Sequence, residues 1–273
     1  MIAFLRREYH YFLTAIQFLT RIQLPASYVF QAEYLQHCPR YFPLAGQIVA
    51  AIALIPYLVV SKYLSEDLGL AAYMVTTIWL TGAFHEDGWA DCCDAFGGGY
   101  DKERILTIMK DSRLGTYGTV GLIAILTVKF LVLKELPAFS PQGLRPSLNP
   151  IRNYQTFILL MLAAHGCSRF MGLLVIRFYD YAGGDLSKSK PLAVAKPPIA
   201  TLLFALILAA WPIALLSPWM WLTLLPMIWA TRALANYFKH WIGGYTGDCL
   251  GTVQQVTEIV FYLAALIVWR YIQ

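Results

Sequence analysis

A chain of 273 residues is long enough for one or two soluble domains, yet 58% of it is hydrophobic, only 14% is charged, and the mean hydropathy is +0.55. A single soluble core of this size could not hide that much apolar surface, so much of the chain is expected to face lipid. The same values exclude a disordered chain, a coiled coil, a collagen-like repeat and a small disulfide scaffold. The five cysteines (Cys38, Cys92, Cys93, Cys167, Cys249) contain no CxxC pair, and their odd number rules out complete intrachain pairing, so reduced thiols are expected. A net charge of +5 reads as a topology signal next to a membrane, and no nucleic-acid partner is expected.

The first predicted element is Phe4–Leu24. Phe4, Leu5, Tyr9, Phe12, Leu13, Ile16 and Leu19 recur at helical spacing, with Arg6, Arg7, Gln17 and Arg21 elsewhere. This predicts an interfacial helix and not a cleaved signal peptide. Crossing a hydrocarbon core takes roughly 20 apolar residues. Seven runs qualify: Tyr41–Val60, Gly69–Phe84, Gly118–Leu136, Thr156–Ile176, Ile199–Leu216, Pro218–Tyr237 and Val253–Tyr271. The second is short and runs straight into charge; the fifth and sixth read as a tight hairpin. The expected fold class is therefore all-α: a polytopic membrane helix bundle of about seven transmembrane helices with an N-terminal interfacial helix. It forms a single integral membrane domain over 1–273, whose residues 1–40 are a cytoplasmic or interfacial segment.

Lys and Arg counts set the expected orientation. With a cytoplasmic start, the inside segments hold Arg6, Arg7, Arg21, Arg40, Lys102, Arg104, Lys110, Arg113, Arg177, Lys188, Lys190, Lys196 and Lys239. The outside segments hold only Lys62, Arg145, Arg152 and Arg270. This asymmetry predicts a cytoplasmic N-terminus.

The acids are scattered thinly except between Glu86 and Asp111. Asp87, Asp91 and Asp94 are spaced i, i+4, i+7, which on a helix aligns three carboxylates along one face. Like charges so placed repel, and each Asp near membrane depth costs about 2.5–3.5 kcal/mol. A cation turns that penalty into a binding site, and ligands that are all oxygen favour Mg²⁺ over Zn²⁺. Asp101 and Glu103 alternate with Lys102 and Arg104 and read as ordinary surface charge.

Gly97-Gly98-Gly99 follows, a run that permits positive φ and close approach of amides to a ligand. Lys110-Asp111-Ser112-Arg113 then offers cationic donors for phosphate, with Asp111 able to ligate a metal or position a hydroxyl; as a bland alternative, Lys110 and Arg113 are positive-inside anchors. Between the last two spans, Gly243-Gly244-Tyr245-Thr246-Gly247-Asp248-Cys249-Leu250-Gly251 suggests a tight polar loop on the same face as the acids. Glu258 is a further acid at depth. Arg169, a lone charge in the fourth span near His165, either balances an acid or contacts a substrate phosphate.

FHEDGWADCCDAFGGG, IMKDSRLGTYG and GGYTGDCLG together closely resemble the cobalamin synthase family, as do the earlier FLTRIQLP and YFPLAG. The matching pieces run from about Phe18 to Glu258. The resemblance implies a multi-pass enzyme of the bacterial inner membrane with its N-terminus and active-site loops cytoplasmic. Members of this family join adenosylcobinamide-GDP to α-ribazole, or to its 5′-phosphate, with release of GMP and a requirement for Mg²⁺. The family's acidic signature falls on Asp87, Asp91 and Asp94, its second motif on Lys110, Asp111, Ser112 and Arg113, and its third on Thr246, Gly247 and Asp248. Trp89 stands where the family usually has Leu, and the stretch from Tyr181 to Lys190 lacks the family's common pattern.

The chemistry expected from this resemblance is a phosphoryl-type transfer, governed by positioning and charge neutralisation. Asp87, Asp91, Asp94 and Asp248 are the expected Mg²⁺ ligands. Lys110 and Arg113 would steady the diphosphate, and Asp111 or Asp87 would orient or deprotonate the ribazole hydroxyl. Ser112, Gly97, Gly98, Arg169, Thr246 and Gly247 are the expected substrate contacts. Expected partners are the corrinoid nucleotide, α-ribazole and the bilayer, with a second copy or other cobalamin-assembly enzymes possible in addition. Two rivals are weaker. A CDP-alcohol phosphotransferase needs an Arg and a later aspartate spacing that DGWAD lacks. A cation transporter calls for acids at mid-span on several helices.

Overall fold

In hydrocarbon a backbone must satisfy its own N–H and C=O groups, so long apolar runs fold as helices. The computed structural model describes residues 2–136, 150–183 and 196–272, and over them the chain is helical apart from turns and one isolated bridge, Tyr181 to Tyr245.

Helix α1 (Ile2–Leu19) ends before the predicted Leu24. The Thr20 hydroxyl turns back onto the Ile16 carbonyl at 2.7 Å, and the Arg21 N–H leaves the helix for the Leu80 carbonyl at 2.7 Å. Ala15, Ile16 and Leu19 pack with Cys38, Phe42 and Ala45, while Phe4, Leu5 and Tyr9 stay exposed. The short α2 (Tyr34–His37) and a 3-10 turn (Cys38–Tyr41) lead into α3 (Phe42–Tyr63), which packs against α4 (Glu66–Thr81).

The second predicted span needs correcting at its end. The chain turns at Gly82 and Ala83, both with positive φ (66° and 57°), and α5 (Phe84–Gly98) leaves α4 at 86°. An L-residue such as Ala83 in that region costs roughly 1–2 kcal/mol, so surrounding packing must hold the corner. The Arg21 side chain lies over Gly82, where a Cβ would meet it at 3.0 Å.

Helices α6 (Lys102–Met109), α7 (Thr116–Lys134), α8 (Pro150–Phe178) and α9 (Ile199–Ala214) follow. A 3-10 turn (Pro218–Thr223), α10 (Leu224–Ile242) and α11 (Gly247–Tyr271) complete the chain. Asp101, expected as plain surface charge, also caps α6 by accepting from the Arg104 N–H at 2.8 Å. All seven predicted apolar segments contain helix, but length and hydropathy support fewer crossings. Four helical stretches qualify (Tyr34–Tyr63, Thr116–Lys134, Tyr154–Phe178, Gly247–Tyr271), or five if the bent α4–α5 pair is one span. Helix α9 has 16 residues, and α10 carries Arg232, Lys239 and His240. Arg145, Lys188 and Lys190 lie outside the described residues.

The bundle has an inside and an outside. The apolar windows of α8 and α11 are 72% buried against protein, whereas that of α7 is 28% buried, which marks α8 and α11 as the central pair. Helix α11 packs against α5, α7, α8 and α10.

Candidate active site

Two glycines set the site's geometry by letting α5 and α11 touch. A Cβ on Gly88 would lie 2.9 Å from the Asp248 carbonyl, and one on Gly251 would lie 3.2 Å from the His85 carbonyl. The Thr252 hydroxyl donates to the Gly88 carbonyl across the contact at 3.2 Å. This crossing carries Asp248, in the first turn of α11, to the acidic face of α5. Asp91 stands within electrostatic reach of Asp87, Asp248 and Asp94, and Asp248 within reach of Asp87. Among the described residues, none of these four carboxylates is paired with Lys, Arg or His.

The four differ in what they already do. Asp87 is exposed; Asp91 and Asp248 are half-buried. Asp94 has both oxygens engaged, by the Gly115 N–H at 2.7 Å and the Gly118 N–H at 2.8 Å. It thus satisfies orphan donors at the start of α7 and ties the acidic helix to the end of the Lys110–Arg113 loop. A carboxylate offers about four lone-pair positions, so Asp94 keeps capacity for a further partner. Among the described residues, no three His, Cys, Asp or Glu side chains come together closely enough to hold a metal by themselves. The donor chemistry nonetheless fits Mg²⁺, which is commonly bound by one or two carboxylates together with water and substrate phosphate.

The second and third motifs meet beside this crossing. Thr246 caps α11 by accepting from the Cys249 N–H at 3.3 Å, and its hydroxyl donates to the Met109 sulfur at 3.0 Å. Met109 immediately precedes Lys110, so the Thr246-Gly247-Asp248 turn and the Lys110–Arg113 loop are joined. Gly243 has φ 83°, and at Gly244 any side chain would strike the Asp180 carbonyl; these two glycines shape the turn. In the loop, Arg113 donates through Nε and Nη2 to both oxygens of Asp111, at 3.0 and 2.6 Å. That fork holds the Asp111 carboxyl down at about 2. Lys110, Ser112 and Arg113 are exposed.

Gly97 and Gly98 form the last turn of α5, and neither they nor Gly99 adopts the positive φ that a glycine run permits. A Cβ on Gly97 would lie 2.6 Å from the Tyr117 ring, so that glycine seats an aromatic side chain. Arg169, for which two roles stood open, has an acid beside it. Its Nη1 lies 3.5 Å from Glu258 and also donates to the His165 carbonyl and the Ser168 hydroxyl.

Glu258 anchors a buried polar network that sequence reading missed in most of its members. Lys129 Nζ lies 3.2 Å from Glu258 and 2.7 Å from the Gln255 side chain, and Gln255 donates to Glu86 at 2.9 Å. His165 stands 3.6 Å from Glu258 and 2.9 Å from the Tyr73 hydroxyl. The available signal was a lone Lys129 in one apolar run and a lone Glu258 in another, since opposite charges isolated at depth seek each other. All five cysteines are free thiols.

Comparison with known proteins fits this arrangement. A family model described as cobalamin-5-phosphate synthase matches residues 11–266. An adenosylcobinamide-GDP ribazoletransferase from Leptospira interrogans is 38% identical over 277 residues, covering 97% of this chain and 98% of its own. Proteins of the same description from Shewanella piezotolerans and Vibrio cholerae are each 38% identical, over 265 and 273 residues, covering 96% and 97% of this chain and 97% of their own. No solved structure matches. With a family model spanning nearly the whole chain and relatives aligned end to end, this protein belongs to the cobalamin-5-phosphate synthase family.

Proposed function

We propose that the protein is an adenosylcobinamide-GDP ribazoletransferase, joining adenosylcobinamide-GDP to α-ribazole or α-ribazole 5′-phosphate and releasing GMP. The observation that carries the site assignment is the set of unpaired carboxylates Asp87, Asp91 and Asp248 at the α5–α11 crossing, with the Lys110–Arg113 loop tied to the same turn through Met109 and Thr246.

In this reading a ribazole hydroxyl attacks the cobinamide-bearing phosphorus, the diphosphate bridge breaks, and GMP departs with the bridging oxygen. Such transfers depend on position and on charge neutralisation. Asp87, Asp91 and Asp248 would hold Mg²⁺, with Asp94 at the margin; when bound, the ion offsets the charge of the diphosphate. Lys110 meets the phosphate oxygens as a mobile point charge, and the Arg113 guanidinium grips them in the plane of its fork. Asp111 is poorly suited to take a proton while Arg113 holds it near 2; it orients Arg113 instead. Asp87, exposed at the edge of the site, orients the hydroxyl or accepts its proton through the carboxylate oxygen not given to the ion. Ser112, Thr246 and Gly247 border the phosphate.

This reading places the loops that bear Asp87, Lys110 and Asp248 on the cytoplasmic side of a bacterial inner membrane, in accord with the Lys and Arg asymmetry. The α9–α10 hairpin would complete seven crossings. A reporter fused after Gly99 should therefore read cytoplasmic. The function is tested by incubating purified protein with both substrates, with and without Mg²⁺. Joined corrinoid and GMP in equal amounts are expected only with the ion; substrate consumed without joined product contradicts the assignment.

A further inference from the structure

A cleft lies against the same crossing, on the side where His85 and Gly247 face α1, α3 and α8. Its volume is about 470 Å³ including the open mouth. That is the scale of a small-molecule pocket, large enough for a flat two-ring base and too small for a corrin macrocycle. Its wall is aromatic. Phe18 stacks on Phe42 with ring centroids 5.8 Å apart and planes at 7°, and meets Phe84 edge-on at 5.7 Å.

His85 lines the cleft, is 4% exposed, and among the described residues hydrogen-bonds to nothing. With the rest of the ring buried and no protein partner for its nitrogens, the hydrogen-bonding capacity of His85 is left for whatever enters the cleft. The floor is fixed by Ser168, Arg169 and Gln254, three side chains of the Glu258 network. At the rim, Gly247 immediately precedes Asp248, and on α5 His85 lies two residues before Asp87.

Building on the ribazoletransferase reading, we infer that this cleft binds the base of the ribazole nucleoside. Phe18, Phe42 and Phe84 embrace the ring, and His85 donates to its free ring nitrogen. The base of α-ribazole is a flat, apolar two-ring heterocycle with one such acceptor, which matches an aromatic wall beside two unpartnered donors, the His85 ring and the buried Arg169 Nε. The ribose then extends past Gly247, at the N-terminal end of α11, toward Asp87 and Asp248. The selection of base over corrin is made by the slot's size, and the polar floor held by the buried network keeps it open.

The test is calorimetric titration of the full-length protein in lipid nanodiscs with α-ribazole and, separately, with adenosylcobinamide-GDP. His85→Ala and Phe18→Trp, which remove the donor and fill the slot, should each weaken α-ribazole binding about tenfold or more, the scale of a lost hydrogen bond left unmade. Adenosylcobinamide-GDP binding should be unchanged in both, which also reports that the bundle is intact. His85→Gln, which keeps a side-chain donor, should recover part of the loss. Unaltered α-ribazole binding in all three variants would overturn the inference, as would a parallel weakening of both ligands, which would make the cleft ordinary packing. If the unaltered protein binds α-ribazole yet makes no joined product, the function is wrong while the cleft stands or falls by the variants.

Discussion

Two groups of acids lie within a few helical turns of each other and are treated in opposite ways. Deep in the bundle, Glu258 is surrounded by Lys129, Arg169 and His165 and by the side chains of Gln254 and Tyr262. At the α5–α11 crossing, Asp87, Asp91 and Asp248 face one another with no cation beside them among the described residues. A buried charge without compensation is not tolerated in a resting fold, and Glu258 obeys that rule. The aspartates can remain unpaired because they reach the edge of the bundle, where water and ligands supply the missing charge. Compensation thus separates the acid that ties the bundle together from those proposed to take part in the reaction.

The strongest way to break that contrast is at Asp91. Asp91→Asn should lower GMP release by roughly 10²–10³-fold, the scale of losing one electrostatic contact in a transition state, while the thermal unfolding midpoint stays within a few degrees. Activity close to that of the unaltered protein would remove Asp91 from the site. Glu258→Gln should do the reverse. Stranding Lys129 and Arg169 without their counter-charge should cost about 3–5 kcal/mol of stability, read as a lower unfolding midpoint in detergent. An unchanged midpoint would mean that the network is not what holds α7, α8 and α11 together.

The loop sharpens the comparison at smaller scale. Asp111 has a carboxyl depressed to about 2 by Arg113, so it is ionised above that value and its charge is constant across about pH 5–8. Asp111→Asn should therefore reduce kcat roughly tenfold through a misplaced Arg113, without moving the acid limb of the pH–rate profile. A displaced limb would return Asp111 to the role of base. The smallest effect is expected at the thiols. Cys93→Ser, at a half-buried position against Gly121, should keep activity within about twofold, whereas Cys92→Ser, fully buried, should cost about 1 kcal/mol of stability.

Much of this could be read in the chain before its fold was known. The apolar runs gave helices at the right places, and the i, i+4, i+7 spacing of Asp87, Asp91 and Asp94 correctly implied a helix, because both patterns are local. What escaped was set by contacts between distant segments. The corner at Gly82-Ala83 depends on Arg21 arriving from α1, and no periodicity near Ala83 marks it. Asp94 serves as a cap for α7 because α5 and α7 pack, and Arg169 finds Glu258 89 positions away. The glycine run hid a contact for a related reason: Gly97 lies against the Tyr117 ring of another helix and keeps helical backbone angles. Nothing local marked His85; its burial beside the cleft is set by residues that α1, α3, α8 and α11 bring to it.

In the proposed reaction the unpaired aspartates capture a divalent ion that grips diphosphate. This capture is tested most directly with Mn²⁺ as a paramagnetic stand-in for Mg²⁺, by measuring bound ion in the purified protein and in Asp91→Asn with and without adenosylcobinamide-GDP. Mn²⁺ binding should be tightened by the nucleotide and abolished by Asp91→Asn. Equal Mn²⁺ binding by the two proteins, whether or not the nucleotide is present, would contradict the capture.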